Sequence, residues 1–96
     1  MISTGFAATA SAARYVQQLV KHWGHRFPTG YDDGIGQLSF SETIYATLMA
    51  REEGIAIELV TPTTDDDRRM REVIERHLDR FAFREAPLSY RWEQAG

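Results

Sequence analysis

The chain has 96 residues, no cysteine and a formal net charge of −3 at neutral pH, and 43% of its residues are apolar. This length fits one domain spanning residues 1–96, and the missing cysteine excludes disulfides, thiolate metal sites and cysteine nucleophiles. The acidic balance argues against nucleic acid as a partner. The apolar runs are too short to span a bilayer, and the N-terminus lacks the features of a secretory signal. We therefore expect a cytoplasmic protein with no membrane partner.

The first part of the chain predicts a strand followed by an amphipathic helix. Residues 4–9 favour a short strand, and the hydroxyl of Thr9 or Ser11 can cap the helix that follows. Apolar side chains then recur at helical spacing as far as about His25. They are Ala12, Tyr15, Val16, Leu19, Val20 and Trp23. Pro28 cannot continue a helix, so the helix must end before it.

Residues 29–61 predict a run of antiparallel strands. Apolar residues alternate with other residues, as in the run from Ile55 to Leu59. Gly34 can supply a positive φ to a turn at little cost. Three turns are expected, at residues 31–34, 41–42 and 51–54. Short turns between such runs favour an antiparallel meander with one buried face.

Residues 63–82 predict a second amphipathic helix. The hydroxyls of Thr63 and Thr64 can cap it, and residues 65–67 place aspartates in its first turn, against the helix dipole. Its predicted apolar face consists of Met70, Val73, Ile74, His77, Leu78 and Phe81. Oppositely charged pairs are expected on its outer face, namely Arg68–Glu72, Arg71–Glu75 and Glu72–Arg76. After Pro87, the alternation of Leu88, Tyr90 and Trp92 with polar residues predicts a closing strand.

The predicted order of elements is β-α-β-β-β-β-α-β. Two amphipathic helices and a sheet with one apolar face predict an α+β, two-layer sandwich, with both helices on one face of a mainly antiparallel sheet. We expect the core to contain Leu19, Trp23, Ile57, Leu59, Ile74 and Phe81. Phe83 is also expected to fill the core.

His77 is the first candidate for chemistry, because a titratable ring is predicted near the centre of an apolar helix face. A buried neutral imidazole needs a hydrogen-bond partner for its N–H group. Two interpretations stay open. The ring is a core histidine that bonds a carbonyl, a tyrosine or a carboxylate, or it is a general base or a ligand-binding group.

His22 and His25 lie three residues apart near the end of the first helix, so two imidazoles can converge on one metal ion. His77, Asp79 or Glu85 can supply a third ligand. The alternative is structural: His22 packs at the helix edge and His25 caps the last carbonyl groups. Because a pair of imidazoles without a thiolate is a weak site, we predict no tightly held metal and no cofactor.

Two arginines and a glutamate follow His77 in the sequence. Planar guanidinium groups suit a carboxylate or a phosphate, whereas an Arg–Glu pair can instead fix the corner between helix and strand. The sequence contains no phosphate-binding loop, dinucleotide fingerprint, nucleophile elbow or zinc-protease motif. We therefore predict a ligand-binding site rather than a catalytic one, formed by His22, His25, His77, Arg80, Arg84 and Glu85.

The motifs that carry the histidines and arginines can be compared with known families. They are Arg14-Tyr15, Gln18-Leu19, Lys21-His22-Trp23-x-His25 and His77-Leu78-x-Arg80-Phe81-Ala82-Phe83-Arg84-Glu85, with Trp92 near the end. Together they resemble the bacterial domain of unknown function family 2218, whose members are small proteins. The domain also occurs fused to siderophore-interacting flavoproteins, which reduce ferric chelates. The resemblance implies an accessory binding domain in iron handling, with a siderophore-reductase flavoprotein or a ferric chelate as its partner.

Two other functions stay open beside this one. The three histidines would form a metal-binding site, or the site of a metal-dependent enzyme, if the C-terminal ends of the two helices lie side by side. The chain would otherwise be a structural or interaction module, such as a homodimer, with no small-molecule site. Treatment with a chelator separates the metal-dependent function from the other two.

Overall fold

A computed structural model describes residues 1–94 of the chain. The elements are β1 (Ile2–Ala8), α1 (Ala12–Trp23), β2 (Thr29–Asp32), β3 (Ile35–Ser39), β4 (Tyr45–Ala50), β5 (Gly54–Val60), α2 (Thr64–Phe81) and β6 (Tyr90–Gln94). This confirms the predicted order of elements. The strands of residues 1–94 form one antiparallel sheet in the order β2-β3-β4-β5-β1-β6, so β1 lies between β5 and β6. No helix in this part of the chain is long and apolar enough to cross a membrane.

The turn between β2 and β3 shows how local sequence sets the register of the sheet. Asp33 and Gly34 form this two-residue turn, and both have a positive φ, 47° and 81°. Such a turn matches the right-handed twist of the strands that it joins, and Asp-Gly is a favoured sequence for it. The predicted positive φ at Gly34 is therefore confirmed, and the turn aligns Asp32 with Ile35 across the hairpin.

Both helices pack on one face of the sheet, as predicted. The central strands present buried apolar side chains to them, such as Leu48 on β4 and Ile57 on β5. Gly36 on β3 lets α1 come close, because a Cβ atom there would lie 2.7 Å from Val20 and 2.9 Å from Val16. The result is the predicted two-layer α+β sandwich.

The core agrees with the prediction except at two phenylalanines. Five predicted core residues are at most 4% exposed: Leu19, Trp23, Ile57, Leu59 and Ile74. Phe81 is half-buried and packs against the edge of the core. Phe83 is 72% exposed, so the prediction that it fills the core is wrong. The reason is that α2 ends at Phe81, and Ala82 takes the buried position in the turn that follows.

The set of α2 residues that are buried differs from the predicted apolar face of the helix. The buried side chains are Asp67, Met70, Ile74 and Leu78. His77 is therefore half-buried at the edge of this set rather than at its centre. The helix is turned in this way because one of its flanks bonds polar groups of β1 and β6. The other flank carries His77 and Phe81, whose rings lie beside Trp23 and His22 of α1.

The helix caps differ between α1 and α2. The hydroxyl of Thr63 accepts a hydrogen bond from the N–H group of Asp66 at 3.1 Å, which confirms the predicted cap of α2. Ser11 occupies the N-cap position of α1, but its hydroxyl makes no cap bond. The hydroxyl of Thr9 instead accepts a bond from the N–H group of Ser11 at 3.1 Å, which orients the chain just before the helix.

The charged pairs of α2 agree with prediction only in part. Glu72 pairs with Arg76 at 3.2 Å, as predicted, rather than with Arg68. Arg71 turns back to Asp67, with 2.9 Å between Nε and Oδ2, instead of pairing towards the C-terminus. It does so because Asp67 is buried against β1 and offers a carboxylate there.

Candidate ligand-binding site

An open cleft of about 410 Å³ lies where the end of α1, the connection from β3 to β4, and α2 meet. We refer to it as the aromatic cleft, and its aromatic and cationic lining is Trp23, Phe27, Phe40, His77, Arg26 and Arg69. The ring centroid of Phe40 lies 4.9 Å from that of Trp23 and 5.3 Å from that of Phe27. Both pairs are edge-to-face, a preferred arrangement of aromatic rings, so the walls of the cleft are well defined.

His77 forms part of the wall of the cleft beside Trp23, with ring centroids 4.5 Å apart. Its Nδ1 atom lies 2.8 Å from the carbonyl oxygen of Val73. Because a carbonyl oxygen only accepts hydrogen bonds, Nδ1 carries a proton, and Nε2 holds the lone pair of the neutral ring. The predicted hydrogen bond of His77 is thus confirmed, and Nε2 is the ring nitrogen that a ligand can use.

Two arginines supply positive charge at the cleft. Arg69 bonds Asp66 at 3.0 Å, and the arginine side chain is 61% exposed. An ion pair this exposed contributes little stability, so the guanidinium group can turn to a ligand at small cost. The hydrogen bond from Arg69 also holds the pKa of Asp66 below its ordinary value. The Cζ atom of Arg26 lies 5.9 Å from the ring centroid of Phe27.

His22 and Arg80 lie beside the cleft, near the C-terminal ends of α1 and α2. The ring centroids of His22 and His77 are 5.6 Å apart. His22 is exposed, but partial desolvation lowers its pKa, and repulsion from His77, in the protonated form of that ring, and from Arg80 lowers it further. His25 is exposed in the turn after α1 and adds to the same effect. The structure therefore brings four of the predicted site residues to neighbouring helix ends.

The ends of the two helices lie side by side, as the metal-binding alternative requires. Among residues 1–94, however, no group of three or more His, Cys, Asp or Glu side chains is arranged to hold a metal ion. Two imidazoles without a third protein ligand form a weak site for zinc. The absence of a tightly held metal stays a prediction, and the metal-dependent function stays an alternative to it. Stoichiometric zinc or iron in purified protein, lost in a His22→Ala, His25→Ala double variant, would establish this alternative.

Arg84 and Glu85 lie at a second place, where the chain leaves α2. The Glu85 carboxylate accepts hydrogen bonds from the hydroxyl of Tyr15 at 2.5 Å and from that of Thr9 at 3.0 Å. The bond to Glu85, and then burial, raise the pKa of Tyr15. Hydroxyl groups therefore fix the corner between helix and strand, and within residues 1–94 the alternative Arg–Glu pair does not form at Glu85. The Cζ atom of Arg84 lies 5.7 Å from the ring centroid of Phe83.

Of the six aromatic and cationic residues of the aromatic cleft, only His77 belonged to the predicted site; the five that were missing are Trp23, Arg26, Phe27, Phe40 and Arg69. Phe27 and Phe40 come from different parts of the chain, and only the fold brings them together. A signal for Arg69 was present. Arg69, Val73 and His77 are spaced by four residues, which places them on one flank of a helix.

The opposite flank of α2 carries polar groups that the sequence alone suggested were on the surface. We refer to its residues Asp67, Arg71, Glu75 and Asp79, spaced by four, as the polar seam. Three strand residues donate to it: Ser3 Oγ to Asp67 at 2.5 Å, Trp92 Nε1 to Glu75 at 2.6 Å and Tyr90 Oη to Asp79 at 2.8 Å. Because these groups are bonded within the chain, the polar seam holds α2 to β1 and β6.

Comparison with known proteins places the chain in a family. A search of curated proteins found no match. The NMR structure of PA4090 from Pseudomonas aeruginosa is similar, with a TM-score of 0.82 and 34% identity, covering 98% of this chain and 96% of that chain. The sequence profile of DUF2218, described as an uncharacterized protein conserved in bacteria, matches residues 4–93 and confirms the resemblance. The chain therefore belongs to the DUF2218 family.

Proposed function

We propose that this chain is a non-catalytic binding domain whose aromatic cleft takes a planar aromatic anion. The observation that carries the proposal is the meeting of edge-to-face aromatic walls with Arg26 and Arg69 at one open cleft. Aromatic walls favour a flat apolar ring, and guanidinium groups favour a carboxylate or phenolate. The volume of about 410 Å³ falls within the usual range of small-molecule sites, about 300–1,000 Å³.

His77 adds a hydrogen-bonding group to this cleft. With Nδ1 donating to Val73, the neutral ring offers Nε2 as an acceptor for a phenolic hydroxyl. A ligand that combines a ring, a carboxylate and a neighbouring hydroxyl therefore meets matching groups. Phenolate and catecholate iron chelates contain aryl units of this kind. We propose a ferric chelate as the ligand and a siderophore-reductase flavoprotein as the partner, on the support of the family resemblance.

The hydrogen bonds of Ser41 favour a binding site over a catalytic site at the cleft. Ser41 lines the cleft, but its Oγ atom accepts hydrogen bonds from the N–H groups of Thr43 at 3.2 Å and Ile44 at 3.1 Å. These bonds hold the connection from β3 to β4. A serine nucleophile would instead need its hydroxyl hydrogen-bonded to a general base. The groups of the cleft are thus suited to holding a ligand.

Isothermal titration calorimetry with three related ligands tests this proposal. We expect salicylate to bind more tightly than benzoate, because benzoate lacks the hydroxyl that would donate a hydrogen bond to Nε2 of His77. Benzoate should in turn bind more tightly than cyclohexanecarboxylate, which lacks the aromatic ring. In a Trp92→Phe background, in which Trp23 is the remaining tryptophan, tryptophan fluorescence should change as salicylate binds. Equal affinity for the three ligands would contradict the proposal.

A matched pair of variants locates the site. An Arg26→Ala, Arg69→Ala double variant should bind salicylate about tenfold more weakly, because charge-assisted hydrogen bonds are lost. Arg68→Ala removes the neighbouring arginine, which is exposed and not part of the cleft lining, and should leave the affinity unchanged. Equal loss in both variants would place binding elsewhere. Titration with a ferric catecholate complex, and then with the reductase, tests the link to iron.

A further inference from the structure

We propose that the exposed side of α1 and the turn after α2 form a docking site for an acidic segment of a partner protein. The side chains involved are Arg14, Gln18, Lys21, Phe83 and Arg84, which we refer to as the α1 docking surface. This surface lies apart from the aromatic cleft, whose lining shares none of these residues. The proposal therefore goes beyond the proposed ligand and stands or fails independently of it.

The turn that follows α2 holds Phe83 in water. The N–H group of Ala82 donates to the carbonyl of Leu78, and the N–H groups of Glu85 and Ala86 donate to the carbonyl of Ala82, each at 2.8 Å. Phe83 is 72% exposed although Ala82 beside it is buried. These bonds order the backbone of the turn on both sides of Phe83. An exposed aromatic ring on such a turn is suited to act as an anchor in a protein interface.

Two arginine side chains lie near this anchor. The Cζ atom of Arg84 lies 5.7 Å from the ring centroid of Phe83. Arg14, Arg84 and Phe83 line one recess of about 170 Å³ beside α1. Single exposed apolar residues are common on protein surfaces, so the arginines are what distinguish Phe83. Aromatic residues and arginine are also the types most enriched at interfaces.

A second recess continues the surface along α1. It has a volume of about 440 Å³ and is lined by Gln17, Lys21 and Tyr31, among others. Arg14 and Gln18 line both recesses, so the two adjoin across the exposed side of the helix. An extended peptide segment can thus reach from Phe83 to Lys21, with side chains in both recesses.

The distribution of charge favours an acidic partner. Residues 1–31 carry three cationic side chains and none of the 14 acidic residues, although the chain as a whole has a net charge of −3. Glu85 is the acid next to Arg84, and both of its oxygens accept hydrogen bonds from hydroxyl groups. A positive surface on an acidic protein attracts a negatively charged partner and orients it.

The same distribution favours a short protein segment over a nucleic acid. All 14 acidic residues lie in the segment 32–96, so a long polyphosphate chain that extends beyond α1 meets negative charge. Nucleic acid binding depends on many phosphate contacts, which three cations at this surface cannot supply. An acidic peptide with an apolar residue can instead pair with the arginines and contact Phe83 at the same time.

Fluorescence polarisation with a fluorescein-labelled peptide of alternating glutamate and leucine tests the proposal. We expect Arg14→Glu, Arg84→Glu and Phe83→Ala each to weaken binding by about tenfold or more. Arg68→Glu, on the exposed side of α2, is the matched charge reversal and should bind like the wild type. Amide chemical shifts should change at residues 14–21 and 83–84 as peptide is added. All four variants should keep the wild-type melting temperature, because the replaced side chains are exposed.

The controls decide between this proposal and its competitors. Replacing glutamate with lysine in the peptide should abolish binding, and raising the salt concentration should weaken binding of the acidic peptide. Equal affinity in all variants, or shift changes confined to the aromatic cleft, would overturn the proposal. Tighter binding of a single-stranded oligonucleotide than of the acidic peptide would overturn it as well. Salicylate binding should be unchanged in Phe83→Ala, which separates this surface from the cleft.

Discussion

The two flanks of α2 differ in where their polar groups find partners. On the flank that faces β1 and β6, the polar seam is bonded to strand residues such as Ser3 and Trp92. On the flank that faces α1, His77 bonds the backbone of its own helix, and Arg69 makes an exposed ion pair. The first flank is closed by the chain itself, whereas the second borders the aromatic cleft.

This difference separates residues that hold the fold from residues that can bind a ligand. Buried polar groups that are bonded within the chain fix one packing of helix on sheet. Polar groups that border an open cleft can exchange their partners for those of a ligand. Both flanks have the same four-residue spacing, from Asp67 to Asp79 and from Arg69 to His77. Spacing alone therefore identifies a flank but does not reveal its partner.

Breaking the polar seam should have the largest effect on stability. Asp67→Ala leaves the guanidinium group of Arg71 and the hydroxyl of Ser3 without their carboxylate partner. We expect the free energy of unfolding to fall by about 3 kcal/mol, measured by urea denaturation. Glu72→Ala removes the exposed pair with Arg76 and should change little. Equal effects of the two variants would remove the distinction between the flanks.

Removing His77 should cost less, because its ring is half-buried. His77→Ala loses the hydrogen bond to Val73 and the contact with Trp23. We expect a loss of about 2 kcal/mol from the cavity and the lost bond, measured by urea denaturation. His77→Phe keeps an aromatic ring beside Trp23 and should recover part of the loss. If His77→Ala is as stable as the wild type, the ring does not contribute to the packing of the two helices.

Periodicity was sufficient to predict the fold class and the order of the elements. The change from a helical period to alternation and back predicted the order of the elements, the sheet's single buried face and five of the six core residues. The position of β1 between β5 and β6 was not predicted, because strand order depends on contacts between distant segments. The rotation of α2 was also missed. Asp67 and Arg71 look like surface residues until Ser3 is placed beside them.

The site was less predictable because it depends on convergence. His77 could be predicted as a site residue because a titratable ring on an apolar helix face is unusual, and His22 and Arg80 because they lie in the histidine-bearing motifs. Phe27 lies in the loop after α1 and Phe40 in the connection from β3 to β4, and the fold places Phe40 between Phe27 and Trp23. In the sequence, Phe27 and Phe40 look like ordinary core residues. No local pattern separates an aromatic residue that lines a cleft from one that fills a core.

Tyr90 allows the polar seam to be tested through pH. Burial, and then the hydrogen bond to Asp79, raise the pKa of Tyr90 in the folded protein. The folded state therefore keeps a proton that the unfolded chain releases above pH of about 10, and stability should fall as the pH rises beyond that value. Tyr90→Phe should cost about 1 kcal/mol at neutral pH and make this fall smaller. An unchanged pH dependence in guanidinium melts would contradict a raised pKa of Tyr90 in the folded protein.

The smallest expected effect concerns His22, beside the cleft. Partial desolvation, and then repulsion from protonated His77 and from Arg80, lower the pKa of the exposed His22 ring, so its protonation opposes folding. This contribution to stability is present above the ordinary histidine pKa of about 6.5 and is lost as the pH falls through the lower folded value. In an NMR titration, we expect the pKa of His22 to rise in Arg80→Ala, which removes a positive charge, and in His77→Gln, which removes a ring that repels His22 when it is protonated. It should stay unchanged in Arg68→Ala. A His22 that titrates at its ordinary value in every protein would mean that the helix ends do not bring these groups together.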